Sequence, residues 1–229
     1  WGGTCVNVGC IPKKLYSYAA HYAESFEESH GYGWVGDAPR FDWEVLKANR
    51  AREISRLNGV YVQLLDNSGV KIIKGWARLL DAHTLEVEGH KFSAKHILIS
   101  TGGTATVPAV EGREHVVTSD HMFDLKPFPQ RLLVVGGGYI ACEFSSIFNG
   151  LGAHVTQVHR GEMLLTGFDD DIRGFIASEM SKTGVNLLFK TEVESITKTA
   201  DGLVVKLKGQ DASFTVDTVL YATGRVPNA

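Results

Sequence analysis

The chain has 229 residues, 44% of them hydrophobic and 21% charged, with a formal net charge of −3. That length fits one large domain or two modest ones, and the apolar content is enough to bury a core. The near-neutral balance gives no electrostatic reason to expect a nucleic acid or a membrane surface as partner, and no run approaches the roughly eighteen apolar residues of a spanning helix.

The chain opens on Trp1-Gly2-Gly3, with no initiator Met and no visible signal peptide, so we expect its true beginning to lie upstream. "GGTCVNVGCIPKKL" then sets Cys5 and Cys10 five residues apart. A helix is expected behind them, with Leu15, Tyr18, Ala19, Tyr22, Ala23 and Phe26 as its apolar stripe and Pro12 in its first turn. A second helix is expected from an Asp42 N-cap to about Leu65, before "DNSG". From Val70 the pattern turns to short β runs, "VKIIKGW", "TLEVE", "KFSA" and "KHILIS", with Gly89 turning a hairpin. Residues 102–130, rich in Gly, Pro and polar side chains, read as a connection with one short helix near "SDHMFDL".

A βαβ unit follows: the strand "RLLVV", the turn "GGGYIA", a helix over 139–150 and the returning strand "AHVTQVH". Ile140, Phe144, Ile147, Phe148 and Leu151 form the expected core face of the helix. A helix over 169–183 and strands near 185–189, 192–198, 203–208 and 214–221 complete the pattern. The fold class is α/β, with two dinucleotide-binding Rossmann-like domains. The first, 1–104, looks like part of a domain whose opening strand is absent; the second is expected to be complete over 105–229, with a return towards the first starting at its C-terminus.

Gly136-x-Gly138-x-x-Ala141 stands between a strand and a helix, the context that a dinucleotide fingerprint requires. Gly136 permits the tight turn, Gly138 lets the backbone approach a pyrophosphate, and Ala141 lets helix and strand pack closely. An NAD site places a carboxylate at the end of the next strand for the ribose 2′-hydroxyl. Here that end is His159-Arg160, so a guanidinium is available for a 2′-phosphate and NADPH is favoured over NADH. The plainer reading makes Arg160 a solvated strand-end charge.

Cys5 and Cys10 can join as a disulfide if the local helix is distorted enough to bring their Cα atoms within about 7 Å. A helix N-terminus with Lys13 and Lys14 nearby favours the thiolate and suits a disulfide that opens and closes. A structural disulfide would need neither glycines nor lysines, and a zinc site lacks a second pair of ligands among nine scattered histidines, so no metal is expected. Cys142, inside a helix, reads as a small buried hydrophobe.

"GGTCVNVGCIPKK", "HILISTGG", "VVGGGYIACEF" and "LYATGRVPN" occur in the order found in the flavin-dependent pyridine nucleotide–disulfide oxidoreductases, which the chain resembles along nearly all its length. Within that family it is most similar to the glutathione reductases. The resemblance implies an oxidoreductase that passes two electrons from NADPH through FAD and a Cys5–Cys10 disulfide to an external disulfide. It implies that Cys10 faces the flavin and Cys5 attacks the substrate. Lys13 and Glu143 are similar to the ion pair beside the flavin, and Tyr139 to the tyrosine covering the nicotinamide pocket. Gly3, Thr4, Lys13, Ala77, Thr101 and Gly102 match FAD contacts. Gly136, Gly138, Tyr139, Ile140, Glu143, Arg160 and Gly224 match the NADPH side. Each has a plain reading when taken alone: an exposed carboxylate for Glu143, a packing aromatic for Tyr139, a surface charge for Lys13.

"PKK" and "RLNGVY" lean towards glutathione disulfide as substrate and make Val60 and Tyr61 its candidate contacts, although Tyr61 also reads as a core-facing aromatic. Trypanothione, thioredoxin, dihydrolipoamide and mercuric reductases are the neighbouring alternatives. One departure stands out: six residues after Arg160, where the family's NADPH enzymes commonly carry a second arginine, this chain has Thr166. Some tolerance of NADH is therefore expected. The resemblance also implies a longer, homodimeric, cytoplasmic parent with an upstream FAD fingerprint and a downstream dimerisation domain. A span of this length is expected not to hold FAD tightly or turn over alone, which leaves a non-catalytic nucleotide-binding fragment as the other reading.

Overall fold

A computed structural model describes residues 1–37, 39–211 and 213–228; Ala229, the last residue of the expected second domain, lies outside them. Two helices, α1 (Gly3–Val8) and α2 (Cys10–Ser29), carry the cysteines. They are separated by Gly9, whose backbone turns to φ −141° and ψ −118°. A Cβ there would lie 2.8 Å from the Thr4 carbonyl oxygen and 3.1 Å from the Cys5 Cα, so only glycine allows the close return. The expected single helix behind the cysteines is thus a broken pair, with Cys5 inside a helix of its own.

The buried side of α2 also differs from the expected stripe. Pro12 and Tyr16 are buried and Leu15, Ala19 and Ala20 pack partly against the core, whereas Tyr18, Tyr22 and Phe26 are exposed. Periodicity alone admits either face of this helix, and the packing partner selected the smaller side chains. That partner is α4 (Tyr139–Gly150), approached so closely that a Cβ on Gly150 would sit 2.9 Å from the Ala20 Cβ. The third helix, α3 (Trp43–Asn67), starts on Asp42, whose carboxylate accepts the N–H bonds of Glu44 and Val45 as expected of an N-cap.

A small antiparallel sheet follows, β1 (Ala77–Leu79), β2 (Thr84–Val87) and β3 (His90–Ser93). Glu88 and Gly89 both take positive φ in its hairpin turn, as a two-residue turn requires. "VKIIKGW" and "KHILIS" correct the sequence reading, because neither residues 70–76 nor residues 95–100 form a strand. Both runs have the composition of strands but no ladder partner among the described residues, and Trp76 and Leu98 are almost fully exposed.

The second half is built on a four-stranded parallel sheet in the order β11-β5-β6-β7, from β5 (Arg131–Val135), β6 (His154–His159), β7 (Asn186–Phe189) and β11 (Thr218–Tyr221). Helix α4 links β5 to β6, and α5 (Asp170–Lys182), capped by Asp169, links β6 to β7. Strand β5 is apolar from Leu132 to Val135 because both faces are covered there. Leu132 and Val134 join the cluster formed with α2, α3 and α4, while Leu133 and Val135 join a second cluster. An antiparallel sheet of β8 (Val193–Thr199), β9 (Gly202–Leu207) and β10 (Ser213–Val216) supplies that other cover. The expected single strand over 214–221 is two, in different sheets. Between them Asp217 turns its carboxylate onto the Arg131 guanidinium and the N–H groups of Gln130 and Arg131. A two-stranded ribbon of β4 (Gly103–Ala105) and β12 (Arg225–Pro227) pairs the entrance and exit of this half.

Candidate active site

The break at Gly9 brings Cys5 and Cys10 to a Cα separation of 4.6 Å, and the two are joined as a disulfide. Both cysteines are exposed. α1 is held from outside the pair: Asn7 donates to the Gly3 carbonyl at 2.8 Å and accepts from the Asn58 side-chain amide of α3 at 2.9 Å. Val60 and Tyr61 lie two and three residues further along α3, each partly exposed. One turn into α2, Lys13 reaches across to α4 and pairs with Glu143, where the lysine side chain is only 14% exposed and the carboxylate 46%. Its ammonium stands 5.5 Å from the ring centroid of Tyr139, the first residue of α4. The structure therefore joins Cys5 to Cys10 and, one turn further along α2, Lys13 to Glu143 and Tyr139 from a distant part of the sequence. Lys14 takes no part and stacks over Tyr18 instead.

Tyr139 is also where the second site begins. A cavity of about 840 Å³ is lined by Gly136, Gly137, Gly138, Tyr139 and Ile140 on one side and by His159, Arg160 and Thr166 on another. Gly136 has φ +142°, and a Cβ on it would run into the Ala222 carbonyl of β11's exit; Gly138 has open space where a Cβ would stand. The N-terminus of α4 has no side-chain cap, so its N–H groups face the cavity unclaimed. The His159 ring lies against Gly137, where an added Cβ would be 2.5 Å away. Burial, helped by the nearby Arg160 charge, holds its pKa below the ordinary histidine value, so it is neutral. Gly224, with φ +148°, closes the far wall, and its carbonyl accepts from the Thr106 N–H at 3.0 Å. These donors, glycines and the lone strand-end guanidinium fit a phosphorylated dinucleotide.

The remaining candidates do not converge in the same way. Gly3 and Thr4 lie in α1, Ala77 opens β1, and Thr101 and Gly102 precede β4, with Thr101 bonded to the Asn228 carbonyl. All five are exposed, and no hydrogen bond or strand pairing joins the three segments among the described residues. Glu143 belongs to the disulfide cluster and does not line the cavity. Cys142 is buried as expected, its thiol pushed up by burial, with the Gln157 amide 3.8 Å from its sulfur.

Sequence reasoning missed the cavity wall made by Thr191, Glu192, Val193, Glu194, Lys208 and Arg225. Arg225 lay in a quoted motif but had no assigned role. The others come from β8 and from the connections at the ends of β7 and β9, whose placement depends on distant pairing, and no local pattern announces it.

A glycine-rich strand–turn–helix opening a cavity, with an exposed disulfide on a helix packed against the same α4, belongs to the α/β class whose sheets bind dinucleotides at such turns. The pyridine nucleotide-disulphide oxidoreductase family model matches residues 1–229, and the chain belongs to that family. It is 45% identical over 228 residues to the glutathione reductase of Burkholderia cepacia, covering 100% of this chain and 51% of the relative. It is 46% identical to the chloroplastic/mitochondrial glutathione reductase of Pisum sativum, covering 99% of this chain and 41% of that one. Among solved structures it is similar to the HOCl-induced flavoprotein disulfide reductase RclA from Escherichia coli, at 30% identity and a TM-score of 0.82, over 99% of this chain and 49% of the other. The chain thus spans about half the length of these relatives. No helix is long and apolar enough to cross a membrane among the described residues.

Proposed function

We propose that the chain carries the thiol-relay and nucleotide-binding halves of an NADPH-dependent, FAD-linked disulfide reductase whose substrate is glutathione disulfide. Residues 1–104 would form the redox-disulfide part and 105–229 the NADPH-binding part, within a homodimeric protein of a thiol-reducing, cytoplasmic compartment. The observation that carries this reading is the shared position of Tyr139: its backbone opens the dinucleotide cavity while its ring stands beside Lys13 at the disulfide cluster. The names of the relatives at 42–46% identity support glutathione disulfide in particular.

NADPH would be held by Gly136, Gly138 and Ile140 at its pyrophosphate, by Arg160 at its 2′-phosphate and by Gly224 at the far wall. FAD, when bound, supplies the two-electron step between the nicotinamide and the disulfide. Lys13 keeps a positive charge at that boundary, and Glu143 fixes the lysine's direction; a charge oriented in advance loses nothing to reorganisation. Tyr139, 57% exposed at the cavity mouth, would turn aside to admit the nicotinamide. In the thiol half, the Cys5 thiolate attacks one sulfur of the external disulfide, whose S–S bond breaks as a mixed disulfide forms and the first thiol leaves. The Cys10 thiolate then attacks Cys5 Sγ, the intramolecular disulfide re-forms, and the second thiol leaves. Two electrons pass to the substrate, and each leaving thiolate takes up a proton.

The test uses the chain itself. Cys10→Ser protein, reduced and mixed with glutathione disulfide, should accumulate a glutathione adduct on Cys5, read by peptide mass spectrometry, faster than it reacts with cystine or a cyclic dithiolane. An adduct on Cys142 instead, or no preference among the disulfides, would remove the substrate assignment.

A further inference from the structure

One end of the dinucleotide cavity carries more charge than Arg160 alone. Arg160 and Thr166 line that end together, and Thr166 offers a hydroxyl without charge. Backbone bonds fix what lies beside them. The Lys190 N–H donates to the Gly161 carbonyl at 3.0 Å and the Thr191 N–H to the His159 carbonyl at 3.1 Å, so residues 190–192 run along the strand end that bears Arg160. The Lys208 N–H donates in turn to the Glu192 carbonyl at 2.9 Å, and the Lys208 ammonium pairs with the Glu192 carboxylate. Both side chains line the same cavity. The bond from Lys208 is the main reason the Glu192 carboxyl lies below its ordinary range, and the Arg160 charge adds to it, so Glu192 sits between two cations.

The Lys208–Glu192 pair is solvated, with side chains 61% and 45% exposed, and such a pair contributes little to the fold. It is therefore readily exchanged for a stronger anion. A phosphate monoester near neutral pH carries a charge of about −1.5 to −2, which one guanidinium does not neutralise. Lys190 is already committed to Glu162, at 2.8 Å. Lys208 is the cation whose partner faces both the cavity and Arg160.

We propose that Lys208 is the second cation of the 2′-phosphate subsite, and that Glu192 holds its ammonium at the cavity rim until the phosphate displaces the carboxylate. This rests on the NADPH reading above and names a specificity-determining residue within it.

Titration calorimetry of the 229-residue chain with adenosine 2′,5′-bisphosphate and with adenosine 5′-monophosphate separates the two ideas. Lys208→Met should weaken the bisphosphate about tenfold, one charge-assisted contact, and leave the monophosphate unchanged. Lys208→Arg should restore most of that loss, and Glu192→Gln should tighten the bisphosphate only. Both side chains are exposed, so these changes leave the fold intact, and circular dichroism checks it. If Arg160→Met lowers the preference for the bisphosphate while Lys208→Met does not, the Lys208 assignment falls and the NADPH reading stands. If the unmodified chain binds the two nucleotides equally, or binds neither, both fall.

Discussion

Replacing Phe148 by Ala should unfold much of the molecule's margin of stability in one step. The ring is fully buried in α4 and stands 5.7 Å from Trp43 of α3, 5.7 Å from Phe128 and 6.3 Å from Phe144. Burial of such a side chain is worth about 1.5–3 kcal/mol. The lost aromatic contacts, at about 0.5–1.5 kcal/mol each, and the cavity left behind raise the expected cost to about 3–5 kcal/mol. That is a large share of the roughly 5–15 kcal/mol that holds a typical protein folded. Because Phe148 joins the parallel-sheet half to helix α3, the loss should appear in both halves at once. Urea unfolding followed by tryptophan fluorescence, for which Trp43 is a buried reporter in the same cluster, and by far-ultraviolet circular dichroism should give coincident curves, both shifted. A cost below about 1 kcal/mol would refute the packing argument, since partly exposed positions fall in that range. So would a shift in the fluorescence curve alone, which would mean that the halves unfold independently.

Three other outcomes follow from single positions. Gly9→Ala puts a Cβ 2.8 Å from a backbone oxygen that cannot step aside, so the oxidised pair should become easier to open, with more dithiol at a given reductant concentration in an alkylation assay. Gly150→Val should cost about 1–3 kcal/mol in a thermal melt by pushing α2 off α4, whereas Gly59→Ala, in open space on α3, should cost nothing and can be stabilising. His159 is held neutral, with its folded pKa below the unfolded value. The unfolded chain therefore binds the extra proton first, and stability should decline as pH falls below about 6.5, a decline that His159→Gln should flatten in pH-dependent denaturation.

What could be read from the residues, and what could not, divides along a physical line. Features decided within a few residues were legible: the Asp42 cap, the turn at Gly89, the apolar run at 132–135, the glycine spacing before Tyr139 and the core face of α4. Features decided by a partner far away in sequence were not. The stripe on α2 could face inward by Tyr16 or by Tyr18 and Tyr22, and it is Tyr16's bond to the Phe123 carbonyl and the close approach of Gly150 to Ala20 that select the first. Residues 70–76 and 95–100 read as strands because their composition suits a ladder, yet a ladder needs a neighbour. Lys208 escaped notice for the same reason: it follows β9 and reaches the cavity through a backbone bond to Glu192, just before β8, a pairing set by the sheet rather than by its neighbours in sequence.

The helix that carries Cys10 is anchored to the nucleotide-binding half rather than to the sheet that follows it in sequence. Tyr16 donates to the Phe123 carbonyl at 2.8 Å and packs against Trp43 at 5.2 Å, while Arg50 and Trp43 of α3 bind carbonyls at Phe123 and Leu125. Those bonds hold the connecting segment against α2 and α3, and the segment leads directly into β5 and the glycine turn. The relay proposed above needs its charged groups well placed, because a misplacement of about 1 Å can cost about 100-fold in rate. Lys13 and Glu143 sit on different helices and 130 residues apart in sequence, so nothing local can set their distance. The buried contact of α2 with α4 can, since the aromatic cluster of the core packs at this junction while the disulfide itself stays exposed.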